Sequence, residues 1–156
     1  MKALNTTVLD NRLNQIENFI PLFEKTNLKV SKATIAWQLD HSLKVINVVA
    51  ISMMKSDPSK YKNNFSFLGK VFLKLGFFPR GKAKAPKYVK PPVIILKEDL
   101  ITQLVEAREN ILKIQNLDDN SFFKHPLFGH INKKRVISFL DTHTNHHLKN
   151  VKSIIK

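Results

Sequence analysis

The sequence predicts an all-α fold, a four-helix bundle packed around one core. Three observations lead there. Apolar residues recur at steps of three and four through four separate segments, the alternation that marks a half-buried strand is scarce, and one long irregular stretch divides the second segment from the third. With 156 residues the chain has the length of one ordinary domain, so residues 1–156 read as a single unit.

The first helix is predicted over about residues 6–25, where Leu9, Leu13, Ile16, Ile20 and Phe23 form one apolar stripe and Thr6 or Thr7 can serve as N-cap. A polar link leads to Ser31 as the next cap. Ile35, Leu39, Leu43, Ile46, Ala50 and Met53 then repeat with helical period, and Pro58 sets the stop near Ser56.

Residues 57–92 hold three of the four glycines and five of the seven prolines, and read as a long crossover. Their middle, from Phe65 to Phe78, is too apolar for a free linker, so a short helix packed on the body is expected there. The end, residues 79–87, is basic and reads as an exposed loop.

A third long helix over residues 98–117 carries Leu100, Leu104, Ala107, Ile111 and Ile114 on one face. An aromatic connector through Phe122, Phe123, His125, Phe128 and Gly129 follows, bounded by turn formers, and Asn132 is placed to cap the last helix.

Composition narrows the chemistry. With no cysteine, thiolate metal sites, thiol nucleophiles and disulfides are all excluded, which leaves nitrogen and oxygen donors for any metal. The first ten residues turn polar and acidic too soon for a secretory signal, and no apolar run is long enough to cross a bilayer. A cytoplasmic protein with no membrane partner is expected. The formal net charge of +14 attracts anions in general, whether nucleic acid, phosphate-bearing metabolites or acidic lipid headgroups.

The informative break in pattern lies in the last helix. Its inward stripe runs through Val136, Phe139 or Leu140, then positions 143 and 147, then Val151 and Ile154, and both interrupting residues are histidines. Side chains at i and i+4 share a helix face, so His143 and His147 can reach one ion. His41, in the middle of the second helix beside Leu39 and Leu43 and close to Trp37 and Asp40, offers a third imidazole. Three histidines leave open positions on a metal, which is the arrangement of a catalytic rather than a closed structural site. His146 lies partly off the stripe and is expected beside the site, while His125 and His130 read as turn and packing residues.

Four runs carry a resemblance to a known family: Trp37 to Leu43, Pro79 to Lys87, His125 to Gly129, and His143 to His147. Together they make the chain similar, over nearly its whole length, to the DinB/YfiT-like superfamily of metal-binding four-helix proteins, closest to an uncharacterised subfamily. The resemblance implies a four-helix bundle with the long crossover between helices 2 and 3. It also implies a divalent ion, zinc or nickel, held by His41, His143 and His147; from their positions in the sequence, His146, Asp40 and Trp37 are expected to line the site. Some members of that superfamily are transferases or isomerases that use a low-molecular-weight thiol. The glycine and glutamine that follow the last histidine in some branches are Leu148, Lys149 and Asn150 here, so no particular thiol carries over.

Three functional readings follow. In the first, a metal-dependent transferase or hydrolase acts on a small anionic or thiol substrate, with Arg80, Lys82, Lys84 and Lys87 holding the anionic part. In the second, a non-enzymatic basic protein binds nucleic acid or another anion, although no helix-turn-helix or zinc-finger spacing is present. The third makes the histidine cluster metal-free and the protein a small oligomer such as a homodimer.

Overall fold

The computed structural model describes residues 4–79 and 84–156. Five α-helices and one short hairpin follow one another as α1 (Thr7–Phe19), α2 (Ile35–Lys55), α3 (Phe67–Leu75), α4 (Lys97–Gln115), β1 (Phe122–His125), β2 (Gly129–Asn132) and α5 (Lys133–Ile155). The four long helices are the four that the periodicity predicts. α2 packs chiefly against α4 and α5, and α1 packs against the same two, so α4 and α5 each lie between α1 and α2. All the stripe residues predicted for α2 and α4 are buried.

α1 ends earlier than the stripe suggests. Pro21 has no N–H to continue the ladder, and the chain tightens into a 3-10 turn at Ile20–Leu22 that keeps Ile20 in the core. The Thr6 hydroxyl does not cap α1, because it accepts a hydrogen bond from Gln115 Nε2 (2.9 Å) and so ties α1 to the end of α4. The cap of α2 is Thr34 rather than Ser31. Thr34 Oγ1 accepts from the Trp37 N–H (3.0 Å), while Ser31 Oγ is engaged by the Ala33 N–H within the link. Such a cap stabilises a helix by about 1 kcal/mol.

The crossover contains the expected short helix. Ser66 Oγ accepts from the Gly69 N–H (3.0 Å) at the start of α3, and Gly76, at φ +69°, closes its end in a left-handed conformation that glycine adopts without a Cβ clash. A 3-10 turn at Lys87–Val89 then rests on α2 with Val89 buried. Of the predicted basic loop, Lys84 and Lys87 are exposed, and Arg80 and Lys82 lie outside the described residues.

The all-α expectation needs one correction. The connector before α5 is an antiparallel hairpin, with Phe122 opposite Asn132 and His125 opposite Gly129. Each strand is four residues long, too short to show a period of two in the sequence. Gly129 sits at φ +79°, and a Cβ there would come within 2.6 Å of the Asn64 carbonyl oxygen. Asn132 stands at the N-cap position of α5, yet its Oδ1 is buried without a partner. The first N–H of α5, from Lys133, is satisfied by the Ser121 carbonyl instead (3.0 Å).

Among the described residues, no helix is long and apolar enough to cross a membrane.

Candidate metal centre

α2 and α5 pack face to face, and their shared interior contains three polar rings. His41 comes from the middle of α2, and His143 and His147 come from successive turns of α5. Ring centroids lie 5.1 Å apart for His41 and His143, 4.7 Å for His41 and His147, and 4.6 Å for His143 and His147. One nitrogen from each ring falls within 4.8 Å of the others, close enough to bind a metal ion. Two donors on one tetrahedral ion sit about 3.4 Å apart, inside that limit.

The tautomers follow from the outer contacts. His41 Nδ1 donates to the Val89 carbonyl at 2.8 Å, and His147 Nδ1 donates to Gln38 Oε1 at 2.6 Å. With the proton on Nδ1, each neutral ring keeps its lone pair on Nε2, the form a metal requires. Gln38 Oε1 also accepts from Asn150 Nδ2 (3.4 Å), which braces the amide from a further turn of α5. His143 differs: its Nδ1 is buried and has no hydrogen-bond partner. Such an orphaned nitrogen costs about 1–3 kcal/mol, and the third ring is therefore the one with most to gain from an ion.

Electrostatics favour the neutral forms. Burial pushes all three imidazoles below their ordinary pKa, His143 and His147 well below it, with the mutual repulsion of the neighbouring histidines adding to the effect. His41 is held closer to its usual value by the Val89 carbonyl and by the field of Asp40. At neutral pH three uncharged nitrogen donors therefore share one interior, a set suited to a borderline divalent ion. Because donor set, tautomers and the orphaned nitrogen all agree, the residues present fit such a group.

Around the cluster, Trp37 stacks on His41 (4.9 Å, 26°), and Phe139 and Phe78 stand 6.0 and 6.4 Å from His143. His146 meets His147 edge-on at 5.0 Å and is half-buried. His41 and His147 are closed off from solvent, whereas His143 is partly exposed. Asp40 is buried and spends both oxygens elsewhere, accepting from Lys44 Nζ and from Gln103 Nε2 (2.8 Å) on α4, so it reaches the histidines only through its charge. His125 and His130 do serve turn and packing. His125 Nδ1 accepts from the Leu127 and Phe128 N–H groups, and His130 Nδ1 accepts from the Lys62 N–H while its ring stacks on Phe122 at 4.2 Å.

Sequence reasoning missed Gln38 and Val89. Gln38 sits three residues before His41 and so shares its helix face, a spacing that could have marked it. Val89 acts through its carbonyl, which no side-chain pattern reveals.

Fold and cluster together define a mostly helical protein with three buried imidazoles able to take up a metal ion. No protein-family model, no curated protein and no solved structure matches this chain.

Proposed function

We propose that this protein is a divalent-metal-dependent enzyme of the DinB/YfiT type, a thiol-dependent transferase or a hydrolase. In this reading the four long helices form the bundle of that superfamily, and His41, His143 and His147 hold zinc or nickel. The observation that carries it is the convergence of three neutral imidazoles within 4.8 Å, two of them already oriented by Val89 and Gln38.

A bound ion supplies Lewis acidity and lowers the pKa of a water or thiol toward neutrality. The chain supplies the rest. Three nitrogen donors leave coordination positions free, Trp37, Phe78 and Phe139 keep the surroundings apolar, and the partly exposed edge of His143 gives the way in from solvent. Lys84 and Lys87 precede the Val89 carbonyl that fixes His41, which places exposed cations on the segment that helps build the site, suited to an anionic substrate.

Elemental analysis of protein purified without a histidine tag tests the metal. About one zinc, nickel or similar ion per chain is expected, lost in His143→Ala and His147→Ala; an empty site in protein never exposed to a chelator overturns the reading. Substituting cobalt and adding a small thiol then separates the reactions. A thiolate-to-cobalt absorption band shows that a thiol reaches the metal; turnover of an electrophilic acceptor that requires the thiol then assigns the transferase branch, and ester or amide hydrolysis without thiol assigns the hydrolase branch.

A second reading, a non-enzymatic protein that binds an anionic partner, draws on one specific observation. Residues 58–97 contain ten lysines and arginines and no acid. For a nucleic-acid partner, Phe65, Phe72, Phe78 and Phe128 pack on one another and are not free to stack on bases, which leaves Phe67, Phe77 and Tyr88 as the exposed rings of the stretch.

A further inference from the structure

α3 lies within that acid-free stretch, and it has two apolar sides. One rests on the body: Gly69 is buried, Phe72 packs on Phe78 and Phe128, and Leu73 borders a surface hollow with Phe65. The other faces outward. Phe67 is 81% exposed, Leu75 57% and Leu68 51%, and with half-buried Val71 they span about 100° of the helix circumference. Phe77, 45% exposed, continues the patch just past the Gly76 cap.

Cations flank this arc. Lys70 and Lys74 sit on its edge at steps of three and four, and the hollow beside them also contains Lys134 and Arg135 from the first turn of α5. None of these four makes an ion pair among the described residues, and α5 has no acid in its first turn. Of the cations at the positive end of α5, Lys133 pairs with Asp119 and Arg135 bonds the Tyr61 hydroxyl and lies over the Phe65 ring, which leaves Lys134 opposing the dipole, an arrangement that a nearby anion would relieve.

We propose that this face, α3 with its lysines and Lys134, is a docking surface for an anionic lipid bilayer. The bulky apolar arc would enter the headgroup and acyl boundary while the lysines contact acidic headgroups, as interfacial amphipathic helices do. The choice of occupant rests on the combination. A small phosphate would satisfy the cations but leave Phe67, Leu68 and Leu75 in water, and a nucleic acid could stack a base on Phe67 but would leave the aliphatic Leu68 and Leu75 uncovered; a second copy of this chain would bring the same positive charge to the contact. The earlier expectation of no membrane partner came from the lack of a spanning segment, which does not bear on surface binding. This proposal is independent of the metal centre.

Co-sedimentation of the full chain with vesicles tests it, comparing phosphatidylcholine alone with phosphatidylcholine plus phosphatidylglycerol. Binding is expected only with the anionic vesicles, about tenfold weaker for Phe67→Ser/Leu75→Ser and for Lys70→Glu/Lys74→Glu, with circular dichroism unchanged because all four side chains are exposed. No binding to the anionic vesicles overturns the proposal. Binding that is salt-sensitive but indifferent to Phe67→Ser/Leu75→Ser also overturns it, since charge alone would then be at work. So does an oligomer in sedimentation velocity that Phe67→Ser/Leu75→Ser dissociates, or single-stranded RNA bound more tightly than the vesicles and equally well by that variant.

Discussion

Gln38 on α2 accepts a 2.6 Å hydrogen bond from Nδ1 of His147 on α5, a contact between residues 109 positions apart in the chain. It fixes both the proton and the plane of a candidate metal ligand. Gln38→Ala would leave a buried N–H unpaired and the ring free to turn. Zinc or nickel affinity is expected to fall about 10- to 100-fold, as for other partners of ligating histidines, with about 1–3 kcal/mol lost from the metal-free protein. Calorimetric metal titration and urea unfolding measure the two effects.

The two histidines of α5 should part company when replaced in the absence of metal. His147→Leu removes the 2.6 Å bond to the Gln38 carbonyl, leaving it only the 3.4 Å contact from Asn150, and should destabilise by about 1 kcal/mol, whereas His143→Leu removes a buried nitrogen that has no partner and should be neutral or stabilising. Both should abolish any metal binding at the cluster. Equal destabilisation of the two metal-free variants would contradict the geometry.

Acid should weaken the fold in a defined window. His125 is pushed down to about 4 by burial, and His143 and His147 lie well below the ordinary imidazole value. Below about pH 6.5 the unfolded chain takes up protons that the folded chain refuses, so stability is full above that pH and declines as pH falls toward 4. His125→Asn, whose side-chain oxygen can still accept from the Leu127 and Phe128 N–H groups, should flatten that slope. Urea unfolding at a series of pH values between these limits reads it directly. Metal affinity of the folded chain should fall only at more acid pH, as the lowered values of the folded imidazoles are approached and protons begin to compete for the same nitrogens.

Two glycines provide a steric test. Both have positive φ, but a Cβ at Gly76 meets open space, while one at Gly129 meets the Asn64 carbonyl oxygen at 2.6 Å. Gly76→Ala should cost about 1 kcal/mol from backbone conformation alone. Gly129→Ala should cost at least about twice that, because backbone must move. Thermal unfolding of the two variants gives the comparison.

How much of this was legible in the sequence depends on whether side chains or backbone do the work. The stripes of α2 and α4 were readable because every third or fourth residue is apolar and buried, and the same logic marked His143 and His147 as interruptions. Ser31 and Thr34 both have the hydroxyl that a cap needs, so only the path of the link decides between them. The hairpin was hidden because four-residue strands show no usable period, and its closure depends on one left-handed glycine and on His125 accepting two backbone N–H groups. Val89 could not be foreseen at all, since its carbonyl reaches His41 only after the crossover has folded back onto α2.

Trp37 is the only tryptophan in the chain, and its indole lies against the His41 imidazole. Tryptophan fluorescence from this protein thus has one origin, 4.9 Å ring to ring from a candidate ligand. An open-shell cation such as nickel should darken that signal on arrival while closed-shell zinc should leave most of it, so a fluorimeter can discriminate between occupants of the native, unlabelled molecule.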